Sequence, residues 1–258
     1  MTQKIRLLIA KQLRFRVEFF SITASTPHYC PKPACILYKS VPAPRFALLS
    51  VFLLFPLLSS AHAGDIDMSK FSRTDVALIF LKLGFEHILP LGLDHILFIL
   101  SLCLLNPKIR PLLIQATAFT IAHSITLGLA MYGLISPPGY IVEPVIALSI
   151  LFVALENVLT DRLKPTRLLI VFAFGLIHGM GFASVLTELG LPREQFVNGL
   201  VAFNAGVELG QVAVILLFWL IIGAWFGKKP WYRKFIVVPA SLGIAAIALF
   251  WTIERTFF

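Results

Sequence analysis

Residues 87–105 read HILPLGLDHILFILSLCLL, two histidines and an aspartate leading straight into an uninterrupted apolar run. An ionisable side chain in hydrocarbon costs several kcal/mol unless it is paired, ligated or turned toward water. The stretch therefore reads as a membrane span with a functional polar group at one end. Adjacent residues on a regular helix point about 100° apart. Asp94 and His95 can thus share a site with His87 only if the helix breaks near Gly92, or if one of them acts behind a ligand.

Working outward, the same pattern repeats. Six apolar stretches, at 77–105, 112–134, 141–159, 167–187, 198–226 and 235–253, are near or above the roughly 20 residues that cross a bilayer. The chain has 258 residues, 58% of them hydrophobic and 14% charged, which is too apolar for a soluble domain. The expected fold is an all-α polytopic bundle of about six transmembrane helices, with the lipid bilayer as its main partner. A net charge of +9 raises the question of nucleic acid. The basic residues, however, lie in alternate loops: Lys108 and Arg110; Arg162, Lys164 and Arg167; Lys228, Lys229, Arg233 and Lys234. That is the distribution of cytoplasmic loops, so no nucleic-acid partner is expected.

Upstream, Arg45 precedes FALLSVFLLFPLLSS and then Ala61-His62-Ala63, the form of a secretory signal cleaved before Gly64. Residues 45–63 are expected to be a signal peptide, and residues 1–44, with Cys30 and Cys35, an extension from a mis-assigned start. Residues 64–258 form the membrane domain. Both mature termini are then periplasmic, and the protein belongs in a bacterial inner membrane as a multi-pass chain. Cys103 alone remains, so no disulfide framework exists.

Each span but the last carries polar groups at helical spacing. Thr117, Thr120, His123 and Ser124 fall on one face of the second. Glu143 marks the outer edge of the third, and Glu156 its inner end, within reach of Arg162 or Arg167. His178 sits among small residues in GLIHGMGFAS (175–184), which allow close helix approach. Asn204, Glu208 and Gln211 share a face of the fifth, where Glu208 is expected to meet His123 or His178. The sixth reads as scaffold. Imidazole suits nickel, cobalt, zinc and copper, and few hard oxygen donors accompany it, which disfavours calcium and magnesium. The candidate metal residues are His87, Asp94, His95, His123, His178 and Glu208, supported by Asn204, Gln211 and Glu156.

As a set, GFEHILPLGLDHILFIL, TAFTIAHSITL, VEPVIALSILFVALEN, FGLIHGMGFAS and FNAGVELGQ resemble the HupE/UreJ family of membrane proteins over about 75–255. The chain looks like a divergent second branch. The better-studied branch has H-x5-D-H where His87 to His95 gives H-x6-D-H, and Phe174 and Gly181 stand where its second motif has histidine and glutamate. The resemblance implies a permease carrying a divalent transition metal as substrate, nickel first and cobalt second. The alternatives are an intramembrane metalloenzyme with zinc and Glu208 as general base, although no H-E-x-x-H motif is present, and a metal-delivery or assembly partner of a metalloenzyme. A homo-oligomer is compatible with any of these.

The charge asymmetry makes one prediction on its own. A reporter active only in the periplasm should work when fused after Phe258 and be silent when fused at Lys229. The opposite pattern would overturn the six-span topology.

Overall fold

The computed structural model describes residues 71–183, 186 and 193–257. The signal-peptide and extension readings fall outside them. All regular structure among the described residues is helical, its main elements being α1 (Arg73–Ile88), α2 (Leu93–Leu105), α3 (Ile109–Met131), α4 (Gly139–Leu159), α5 (Thr166–Gly181), α6 (Phe196–Phe226) and α7 (Arg233–Phe257), with a 3-10 turn at Arg193–Gln195 before α6. Helices α6 and α7 each include a π-helical turn, at Trp219–Gly223 and Arg233–Val237.

The break expected near Gly92 is present. Helix α1 opens with a capping box, in which the Ser72 hydroxyl accepts from the Asp75 amide at 3.2 Å and the Asp75 carboxylate accepts from the Ser72 amide at 3.3 Å. It closes at Leu89, because Pro90 has no amide to continue the ladder. Gly92 is the N-cap of α2, and a methyl there would strike the His87 carbonyl oxygen, so only glycine fits. The two helices bend by 65° across this break, the geometry of a broken span or a re-entrant loop.

Helices α3, α4, α6 and α7 are each long and apolar enough to cross a bilayer alone. The fourth expected span differs. Helix α5 has 16 residues and ends at Gly181, too short to cross a bilayer by itself. The chain leaves the helix at Phe182, whose buried ring turns inward to lie 4.0 Å from the His87 ring and 5.3 Å from Phe203.

Helix α1 packs along α6, α3 along α5, and α4 along α7, with α2 between α4 and α6. Lipid tails are as apolar as leucine side chains, so helices in a membrane associate through close packing and hydrogen bonds rather than hydrophobic burial. Glycine supplies the closeness. Gly206 of α6 lies against the Leu81 carbonyl of α1, and Gly179 of α5 against the His123 carbonyl of α3. Polar contacts fasten the basic-loop side. Arg167, 1% exposed, donates to Glu156 at 3.0 Å and to Asn157 at 3.1 Å, while Asn157 donates to the Ser101 carbonyl at 2.7 Å. Arg233 donates to the carbonyls of Asn157, Val158 and Thr160, capping the open end of α4.

The close α1–α6 approach should be measurable. Gly206→Ala must push backbone from backbone and should cost about 1–3 kcal/mol, as overpacking does. Gly243→Ala, with nothing within 4 Å of the added methyl, should change little. Thermal melting of the detergent-solubilised protein compares the two, and equal melting temperatures would refute the close-approach account.

Candidate metal centre

The break between α1 and α2 does more than bend a span. It places His87, from the last turn of α1, beside His95, from the first turn of α2, with ring centroids 4.7 Å apart. His123 of α3 closes the group at 6.2 Å from His87 and 6.1 Å from His95. One ring nitrogen from each of these three lies within 4.8 Å of the others. His178 of α5 adjoins them, 5.2 Å from His95. Metal–imidazole bonds of about 2.0–2.1 Å put tetrahedral donors roughly 3.4 Å apart. The group is slightly wider than that, a difference that small ring movements can close.

The hydrogen bonds at the back of the rings decide what the front can do. The amide nitrogen of Asn204 is committed to the Leu200 carbonyl at 2.8 Å, so its Oδ1 faces His123 Nδ1 at 3.1 Å. Oδ1 only accepts, hence His123 Nδ1 carries the proton and Nε2 a lone pair. The same reasoning holds for His178, whose Nδ1 donates to the Phe174 carbonyl at 2.8 Å. The Nε2 atoms of His87, His95, His123 and His178 are all buried, and none has a hydrogen-bond partner. An unmade hydrogen bond at a buried polar atom costs about 1–3 kcal/mol. Four such atoms in one neighbourhood are better explained by a shared ligand than by four separate defects. Phe98, Phe119, Phe182 and Phe203 lie against the imidazoles and exclude water.

The candidate carboxylates bond to groups other than the imidazoles. Asp94 forms an ion pair with Arg255 of α7 at 2.9 Å, and Arg255 also donates to the Glu143 carbonyl. Glu156 pairs with Arg167 at 3.0 Å, one of the two partners its position suggested. Glu208 meets neither His123 nor His178 in its hydrogen bonds. Its oxygens accept from Thr117 at 2.6 Å and Thr120 at 2.5 Å, and Thr120 also touches Gln211 at 3.1 Å. The polar faces of α3 and α6 are thus knitted to each other, with the histidine group at one end of the seam. Arg255 escaped the sequence reading because a charge at the end of an apolar span looks interfacial. Its arginine fork, at the end of an otherwise apolar stretch, was the available signal.

A family model described as HupE / UreJ protein matches residues 64–255, most of the chain and every described helix. No curated protein and no solved structure gives a match.

The back-side bond to His123 makes a specific prediction. Asn204→Ala removes the group that fixes the tautomer and should weaken metal affinity about 10- to 100-fold, the usual cost of losing an outer-shell partner. Asn204→Asp keeps the acceptor toward His123 but loses the donor to the Leu200 carbonyl, and should retain more affinity than Asn204→Ala. Calorimetric titration of the purified protein with cobalt checks both, and equal affinities for Asn204→Ala and wild type would remove His123 from the centre.

Proposed function

The chain belongs to the HupE/UreJ family, and from that premise we propose that it is a multi-pass permease of the bacterial inner membrane. Its substrate is a divalent transition metal ion, nickel first and cobalt second. His87, His95, His123 and His178 bind the ion during passage. The observation that carries this reading is the set of four buried, unpartnered Nε2 atoms contributed by four helices. Neutral imidazoles select borderline metals over calcium and magnesium, which require oxygen. Among the described residues no phosphate-binding loop accompanies the site, so the membrane potential, a coupled ion or the metal gradient supplies the drive.

Asp94 belongs to this reading as the group that fixes the mouth of the site. Its bond to Arg255 ties the first turn of α2, and with it His95, to the outer end of α7. The metalloenzyme alternative needs a general base at the metal. Its candidate, Glu208, is engaged by two threonine hydroxyls. That engagement favours transport over hydrolysis.

Uptake of radioactive nickel into membrane vesicles tests the proposal. His95→Ala and His178→Ala should each abolish uptake and lower bound-metal stoichiometry while leaving the protein inserted. Cys103→Ala, in the buried apolar part of α2, should have little effect. Wild-type uptake in both histidine variants would leave the imidazoles structural and the transport reading without its main support.

A further inference from the structure

The intramembrane carboxylates differ in how their charge is met. Asp94 has Arg255 and Glu156 has Arg167. Glu208 is half-buried, and among the described residues no ion pair involves it. It is held instead by neutral donors, the hydroxyls of Thr117 and Thr120, with the buried Gln211 oxygen 3.1 Å from Thr120. A carboxylate in apolar surroundings with no basic partner is a costly arrangement, and such groups mark ion pathways.

Its place along the helices fits that role. Thr120 is three residues from His123 on α3, and Glu208 is four residues from Asn204 on α6, the two residues joined at the histidine centre. The offset is one helical turn, about 5.4 Å, along both helices in the direction of the basic loops. Four neutral imidazoles add no negative charge of their own to balance a bound dication. The nearest carboxylate along the α3–α6 seam that no arginine neutralises is Glu208.

We propose that Glu208, Thr117, Thr120 and Gln211 form a second, all-oxygen station for the transported cation, separate from the histidines and one turn deeper. The proposal rests on the histidine centre as the first station. An ion released from the imidazoles exchanges nitrogen for oxygen ligands. The two hydroxyls that donate to the empty carboxylate rotate to offer their lone pairs, and the Gln211 oxygen completes the set. Oxygen donors hold a borderline metal less firmly than imidazole, so the second station releases what the first captures. Conduction requires that graded, multi-site binding.

The test uses cobalt as a spectroscopic probe alongside nickel uptake, with the full chain in detergent and in vesicles. The cobalt–imidazole absorption of wild type establishes the first station. Glu208→Gln should keep that spectrum and its titration midpoint but reduce uptake to roughly a tenth or less. The Thr117→Val, Thr120→Val double variant retains the carboxylate and should also slow uptake with the spectrum unchanged. Loss of the cobalt–imidazole spectrum in Glu208→Gln would make the carboxylate part of the histidine centre and overturn a separate station. Wild-type uptake in the double variant would overturn it as well, even if Glu208→Gln failed to insert. Absence of the spectrum in the wild type is a different result, because it removes the histidine centre on which this station depends.

Discussion

Inside a bilayer there is no water to complete an unmade hydrogen bond, so each polar atom must find its partner within the protein. Most polar atoms described here do. The Thr126 and Ser149 hydroxyls return to carbonyls of their own helices, Asn157 reaches Ser101, and Arg233 closes the end of α4. Among the buried side-chain atoms that do not find one, the four imidazole Nε2 atoms stand out because their rings lie together. The helix break, the aromatic wall and the back-side bonds of His123 and His178 all serve to hold them bare and together. The same constraint explains why the site is built from helices that approach so closely: glycines at 179 and 206 let backbones touch where side chains would have held them apart.

Much of this was legible in the sequence. Membrane class and the α-helical fold followed from composition and span length, and the break at Gly92 from Pro90 and Gly92 lying within one apolar stretch. What the break accomplishes was less visible. Sequence spacing tied a site shared by His87, Asp94 and His95 to a break near Gly92; the bend does join His87 to His95, whereas Asp94 pairs with Arg255. A periodicity argument treats a helix as straight and cannot rotate one half against the other.

The partners of the carboxylates were the other hidden part. Glu156 had two basic residues close by in sequence, and one of them is its partner. Asp94 and Glu208 are met from 161 and 88 or 91 positions away. Helical spacing identifies the face on which Thr117, Thr120 and His123 lie, and separately the face shared by Asn204, Glu208 and Gln211. It does not give the vertical register between the two helices, and that register decides whether Glu208 meets a histidine or a threonine. Here α3 and α6 are aligned so that His123 meets Asn204, which puts Glu208 one turn further along, opposite hydroxyls.

The pairing of Asp94 with Arg255 has a consequence for how the molecule is made. The chain is synthesised from its N-terminus, and Asp94 enters the membrane long before the residue that secures it exists. The ion pair spans 161 positions. The first turn of α2 therefore goes without this tie through the insertion of α3 to α6 and gains it only as α7 settles. A nascent chain that lacks α7 cannot hold the start of α2 in its finished position, and Arg255 acts as the latch that closes the assembly.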